Sequence, residues 1–406
     1  MIQHEKINIY QKLAAIIGPI IAVIIYIKFP IDKSEKAFGF YLFFFSYFLS
    51  IAFTIFFRRL AIQLNYYDHP GGRKSHKGPT PLLGGAAIFC TFAATIAFFE
   101  FRIENTGTVW LILGASFIIL VIGAIDDHKP LSAKFRLATQ FTLAAIIVGY
   151  GVRISFLPNN LIGFSLEVIL SVLWIVGITN AINFLDGMDG LATGYIIITA
   201  SLLGIVAYQL VMPEYLDILL ALVGACAGFF PFNFRWHQSA LMFLGDSGAN
   251  FLGFFMGCIT LLGKWGSRND VYHSINEVGV IIPLLILGVA VFDTCFTYIM
   301  RFREGNIKKI DHLLTYNGRD HFHHCLYDMG LPEKAVVLII FLITGCLGLG
   351  SIALRNARKI DAIILLVQAV LIFAMIGGFM AFVKKTHVTP NNKNKEQGSK
   401  VKDSNL

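Results

Sequence analysis

Apolar residues fill this chain in long, nearly uninterrupted blocks parted by short polar segments. That pattern belongs to membrane helices, not to the two-residue alternation of barrel strands. About twelve blocks are long enough to span a bilayer: roughly 11–28, 39–57, 82–100, 108–125, 135–151, 161–179, 191–211, 215–231, 241–262, 278–299, 335–353 and 361–383. They predict an all-α, polytopic membrane protein of about 11–12 transmembrane helices, with a single transmembrane domain over 1–383. The tail, 384–406, is rich in Lys, Asn and Ser and is expected to be disordered. The first block is long and has no small-residue cleavage site after it, so it reads as a retained helix, not a cleaved signal.

Composition agrees, because 56% hydrophobic and 14% charged residues over 406 positions exclude a soluble globular protein. With the N-terminus inside, the segments near 58–81, 126–134, 180–190, 232–240 and 301–334 share one face with both termini. Most of the 33 Lys and Arg fall on that face, which the positive-inside rule makes cytoplasmic. The net charge of +8 therefore reflects topology and attraction to anionic headgroups, and nucleic acid is not an expected partner. The six cysteines are scattered singly, mostly inside apolar blocks, and read as small core residues.

The densest polar island is Asn180-Ala-Ile-Asn183-Phe-Leu-Asp186-Gly-Met-Asp189-Gly-Leu-Ala-Thr-Gly194, set between two apolar blocks. Two carboxylates and two carboxamides are costly in lipid, so they face water, a metal or a phosphate. Asp and Asn supply the hard oxygen ligands that Mg2+ prefers, and the glycines let a ligand approach the backbone. A tight turn whose Asp and Asn cap the next helix explains one carboxylate and leaves the rest unexplained.

Four further polar segments lie on the same expected face. Asp68 to Gly85 crowds Arg73, Lys74, His76 and Lys77 into a Pro- and Gly-rich loop that bars a regular helix. It reads as a shaped phosphate-facing loop, with a headgroup anchor as the alternative. Gly123 to Arg136 sets Asp126 beside Asp127; the two repel and call for a divalent ion or for Lys134 and Arg136, unless they only end one helix and cap the next. Asp246, within Pro231 to Asn250, is either an N-cap or a metal ligand at a helix start that also attracts phosphate. In the longest loop, Arg301 to Leu326, His321, His323 and His324 cluster beside Cys325. No second ligand pair stands at a zinc spacing, which leaves hydrogen-bond donors to a pyrophosphate or a solvated histidine run.

In this order and on one face, the five segments resemble the polyprenyl-phosphate N-acetylhexosamine-1-phosphate transferase superfamily, glycosyltransferase family 4. The family pattern DxPxxRKxHxxPxPxxGG is met by Asp68 to Gly85, and NxxNxxDGxDGLxxG by Asn180 to Gly194. The DDxxxLxxxxK-like loop is met by Asp126, Asp127, Leu131 and, at shorter spacing, Lys134. F(L/M)GDxGS is met by Phe243 to Gly248, with Ala249 in place of serine, and HxHH by His321, His323 and His324. Between Asn233 and Asp246 the chain reads Arg-Trp-His-Gln where the family has a short Pro-Ala linker. An additional helix near 11–28 precedes a family-like core near 39–383, which turns the N-terminus inward.

The resemblance implies a multi-pass enzyme of the bacterial inner membrane, with catalytic loops and N-terminus on the cytoplasmic side. The bacterial branch is indicated by Asp186, which the eukaryotic dolichol branch lacks. The implied reaction transfers N-acetylhexosamine-1-phosphate from a UDP-sugar to undecaprenyl phosphate, releasing UMP, as the first membrane step of cell-envelope polysaccharide synthesis. Phe322 interrupts the histidines as in the branch that uses GlcNAc-1-phosphate to start O-antigen and teichoic-acid linkage units. The peptidoglycan branch, which transfers phospho-MurNAc-pentapeptide, has a contiguous triplet.

By the same resemblance Asn183 and Asp246 are ligands of Mg2+, with Mn2+ as a substitute. Asp126 or Asp127 would orient or deprotonate the lipid phosphate, and Asp186 and Asp189 would shape the nucleotide and metal surroundings. His321, His323 and His324, with Arg303 beside them, would hold the pyrophosphate or sugar. Asn180 joins the substrate-binding positions, and Arg73, Lys74, His76 and Lys134 would meet phosphates at the lipid entrance. Whether the chain forms a homodimer stays open. A reading of a different class, a secondary transporter, suits the span count, but the polar residues gather at one face and the spans show no inverted repeat.

Overall fold

A segment of some twenty apolar residues in lipid must satisfy its own backbone groups, and coiling into a helix is how a single segment does so. The structure, a computed structural model, describes residues 9–28, 37–68, 78–99, 106–263, 265, 275–303, 320–356 and 359–402. In chain order the helices are α1 (Ile9–Lys28), α2 (Ala37–Gln63), α3 (Gly84–Phe99), α4 (Thr106–His128), α5 (Ala133–Gly149), α6 (Leu161–Leu185) and α7 (Leu191–Gln209). They continue with α8 (Pro213–Asn233), α9 (Gly245–Leu262), α10 (Ile275–Ile286), α11 (Gly288–Arg303), α12 (Phe322–Asp328), α13 (Glu333–Ile352) and α14 (Lys359–Lys402). Each apolar block coincides with a helix, except that the tenth is split at Leu287 into α10 and α11, which meet at 73°. Pro283, one turn before the break, lacks the N–H that would bond the carbonyl four residues earlier, and the Leu287 N–H donates to the Pro283 carbonyl at 2.9 Å.

Among the described residues seven helices are long and apolar enough to cross a membrane, and the bent pair makes an eighth. Outward faces of α6 and α14 carry exposed Leu161, Ile162, Leu371 and Met375, as a lipid-facing surface does. The last helix runs on to Lys402, past the end of the last apolar block. Extending an existing helix fixes one residue for each bond gained, whereas starting one does not. The described strands are β1 (Tyr67–Asp68) and β2 (Thr80–Pro81), an antiparallel pair with Tyr67 opposite Pro81 and Asp68 opposite Thr80. They flank the first polar loop, in which Arg73, Lys74 and His76 lie outside the described residues.

Two packed rows build the core. In one, α8 lies between α2 and α7, and Ser46 and Ser50 of α2 donate to the Ala221 and Ala225 carbonyls of α8 at 2.7 and 2.6 Å. In the other, α9 lies between α4 and α6 and is buried along nearly its whole length, as a helix apolar on all sides must be. Gly253 allows that approach, since a Cβ there would stand 2.7 Å from the Thr179 Cα of α6. Gly253→Ala is therefore expected to lower stability by about 1–3 kcal/mol. Gly114→Ala, in α4 with no atom within 4 Å of an added Cβ, should not lower it. Thermal unfolding in detergent compares them, and equal midpoints would contradict this packing.

Candidate active site

Four helix ends meet at one point. Asp126 and Asp127 stand in the last turn of α4, Arg136 and Gln140 in the first two turns of α5, Asn180 and Asn183 near the end of α6, and Asp246 in the first turn of α9. The two asparagines are thus helical; the island becomes a turn only from Asp186, which closes α6.

The start of α9 has no side-chain cap of its own. Its free N–H groups at Asp246 and Ser247 instead donate to Asp127 Oδ1 and Oδ2 at 2.9 and 3.2 Å. Gly245, with φ +78°, makes the turn into the helix, and a Cβ there would lie 2.7 Å from Asp127 Oδ2. Asp127 therefore caps a helix 119 residues further on, while α5 is capped by Ser132. Asp126 accepts from Leu131 N–H at 2.6 Å and from the Arg136 guanidinium.

Asp246 is where these groups converge. Asn183 Nδ2 donates to its Oδ1 at 3.2 Å, and Arg136 Nη1 reaches its Oδ2 at 3.4 Å. Beneath it runs an amide relay that ties three helices together. Asn180 Nδ2 donates to Gln140 Oε1 at 2.6 Å, Gln140 Nε2 to Asn250 Oδ1 at 3.4 Å, and Asn250 Nδ2 to the Asp246 carbonyl at 2.8 Å. Lys134 lies exposed in the first turn of α5.

Asp189 sits apart from this convergence. Its Oδ2 accepts from Ala240 N–H at 2.9 Å and lies 3.5 Å from Lys334 Nζ, and its own N–H donates to Glu333 Oε1 at 3.3 Å. It fastens the island to the loop before α9 and to the start of α13.

The histidines pack on the other side of the island. The His321 ring tilts over Phe184 with centroids 4.8 Å apart, and His323 is so close to Gly187 that a Cβ there would sit 2.3 Å from its Nε2. His324 follows, 4.2 Å from His323 between ring centroids. Two grips from α11 hold this segment. Asp293 takes His321 Nδ1 at 3.0 Å and the Phe322 N–H at 2.6 Å, and Arg301 holds Asp320 through two bonds of 2.7 Å.

The family model for glycosyl transferase family 4 matches residues 109–264, from α4 through α9, the stretch that holds the whole cluster around Asp246. A Bacillus subtilis protein named probable undecaprenyl-phosphate N-acetylglucosaminyl 1-phosphate transferase is 34% identical over 305 residues, covering 74% of this chain and 80% of its own length. The chain belongs to glycosyl transferase family 4. Other relatives include a Mycolicibacterium smegmatis decaprenyl-phosphate N-acetylglucosaminephosphotransferase, 29% identical over 320 residues (72% of this chain, 76% of that one). A Streptococcus pyogenes phospho-N-acetylmuramoyl-pentapeptide-transferase is 29% identical over 297 residues (65% and 82%).

Several residues of this glycosyl transferase family 4 site are not evident from the motifs. Asp293 is a carboxylate inside an apolar block, a signal that by itself marks a site. Arg301 is buried and paired with Asp320, whereas Arg303 is exposed. Gln140 and Asn250 carry no local signal beyond being polar within apolar blocks.

The charge balance bears on what the site could hold. Burial, then the charges of Asp246, Asp127 and Asp189, push the Asp186 carboxyl well above its usual range. Negative charge is thus gathered beyond what its surroundings relieve, and the oxygens of Asn183, Asp186 and Asp246 are hard donors. Among the described residues no group of three His, Cys, Asp or Glu side chains is set to hold a metal unaided. Such a site fits a cation like Mg2+, which takes one or two carboxylates and completes its shell with water and substrate phosphates.

The Arg301–Asp320 pair has a pH signature. Burial raises the Asp320 carboxyl, but the Arg301 hydrogen bonds and charge, with His321, outweigh it and hold the group below its ordinary value. A carboxylate lowered on folding stabilises the protein above its unfolded pKa and loses that contribution as pH falls through the folded value. Wild type should therefore unfold at a higher temperature than Asp320→Asn at pH 7, with the gap closing below about pH 4. A gap that does not narrow at all as pH falls below about 4 would argue against the pairing.

Proposed function

We propose that this chain transfers GlcNAc-1-phosphate from UDP-GlcNAc to undecaprenyl phosphate, releasing UMP. The observation that carries the reading is the convergence on Asp246: a carboxylate in the first turn of α9, fixed by Asp127 and faced by Asn183 and Arg136, each from a different helix. The name borne by the Bacillus subtilis relative supports the choice of sugar and lipid.

In this reaction an oxygen of the lipid phosphate bonds to the sugar-bearing phosphorus, and that phosphorus releases its bridging oxygen with UMP. Both partners are anionic, so the protein's work is positioning and neutralising charge. Asn183 and Asp246 would hold Mg2+, which when bound supplies charge neutralisation on the donor pyrophosphate. Asp126 and Asp127 act by position: one holds Arg136 and the other holds α9, and a lipid phosphate already ionised needs no base. Asp186 adds to the metal's surroundings. Asn180 keeps Asn183 and Asp246 in register through the amide relay. His321, His323 and His324 face the pyrophosphate or sugar, and Lys134, with Arg73, Lys74 and His76, meets the lipid phosphate. The Lys and Arg bias supports a site on the cytoplasmic face; in this reading the membrane is a bacterial inner membrane and the product enters cell-envelope polysaccharide.

Purified protein incubated with undecaprenyl phosphate, Mg2+ and separate UDP-sugars tests this directly. UMP release and a lipid of pyrophosphoryl-GlcNAc mass are expected with UDP-GlcNAc. A lipid product with UDP-MurNAc-pentapeptide alone would move the chain to the peptidoglycan branch, which the histidines interrupted by Phe322 argue against.

A further inference from the structure

We propose that Asp293 is a positioning residue of this site, whose carboxylate fixes the His321 imidazole in one tautomer and one orientation so that Nε2 is the nitrogen presented to the donor. The inference rests on the reading that His321 meets the pyrophosphate or sugar. Asp293 lies within α11 in an apolar run and is 1% exposed, a setting in which a carboxylate is rare unless it is fully employed. Both its oxygens are employed on consecutive residues. Oδ2 stands 3.0 Å from His321 Nδ1, and Oδ1 accepts the Phe322 N–H at 2.6 Å.

A carboxylate oxygen only accepts, so Nδ1 carries the ring proton and Nε2 keeps its lone pair or, in the imidazolium, a second N–H. The His321 side chain makes no other hydrogen bond among the described residues. The plane of the ring is set by Phe184, which follows Asn183 in α6, so the histidine is anchored to the turn that carries Asn183. Two turns further along α11, Arg301 grips Asp320. The histidine segment is thus clamped to one helix at two points, with its first histidine oriented from behind.

Asparagine at this position separates orientation from folding. Asp293→Asn keeps the shape and one acceptor for the Phe322 N–H, but it turns an amide N–H toward Nδ1 and shifts the ring proton to Nε2. With full-length protein in nanodiscs, turnover of UDP-GlcNAc should fall roughly 10- to 100-fold, with KM for undecaprenyl phosphate and the unfolding midpoint unchanged. His321→Ala should lose at least as much, and adding Asp293→Asn to it should cost nothing further, since one residue acts through the other. In 15N-histidine spectra the resonance lost in His321→Ala should show Nδ1 protonated in wild type and Nε2 protonated in Asp293→Asn. A wild-type Nδ1 without its proton at neutral pH would overturn the inference without any variant. So would normal turnover of Asp293→Asn beside an inactive His321→Ala, or a further loss in the double variant. Full turnover of His321→Ala would instead remove His321 from the substrate site, and this inference with it.

Discussion

Asp246→Asn is expected to abolish nearly all Mg2+-dependent UMP release from UDP-GlcNAc and undecaprenyl phosphate, a loss on the order of 1000-fold. The substitution keeps the side-chain shape and leaves an oxygen to accept from Asn183, but it removes the anionic ligand and sets an amide N–H against the Arg136 guanidinium. The fold should survive, because the start of α9 is capped by Asp127 and not by Asp246 itself. An inactive protein with a wild-type unfolding midpoint is therefore the expected result, measured by coupled UMP detection and thermal unfolding. Retained turnover would take Asp246 out of the metal site.

Asp127→Asn should behave differently. Its two oxygens each accept one N–H from the first turn of α9, and asparagine offers only one acceptor and turns a donor toward the other N–H. Leaving that N–H unpaired costs about 1–3 kcal/mol. The shift it forces on Asp246 should lower turnover roughly 100-fold, as small misplacements of reacting groups do. Stability and activity thus fall together here, whereas for Asp246→Asn activity falls alone. If Asp127→Asn lost activity with no change in unfolding, Asp127 would be acting on substrate directly and its capping role would be secondary.

The helices were legible because their signal is local: each apolar block reports its own burial, and apart from the run of α14 on to Lys402, block and helix ends agree to within six residues. The site was legible as a set of polar patches, since carboxylates and amides inside so apolar a chain need a reason to be there. Their division of labour was not. Asp127 reads in sequence as a cap for the next helix, yet it caps α9, and nothing in residues 123–136 specifies a partner 119 positions away. Asp189 looks like the twin of Asp186 in the repeated Asp-Gly pattern, but its contacts tie loops together. Asn180 and Asn183 seem to belong to a loop because glycines follow them, although the helix runs on to Leu185. Asp293 was overlooked among the apolar residues of the tenth block, where a lone carboxylate is itself informative.

The proposed reaction requires that Asn183 and Asp246 together hold a hydrated divalent cation against the donor's pyrophosphate. Titrating Mn2+ into purified protein with UDP-GlcNAc, and reading free Mn2+ by electron paramagnetic resonance against a nucleotide-only control, measures it most directly. One ion bound per chain in the presence of donor, weakened at least tenfold by Asn183→Ala and by Asp246→Asn, is the expected result. An ion bound with unchanged affinity in both variants would contradict it.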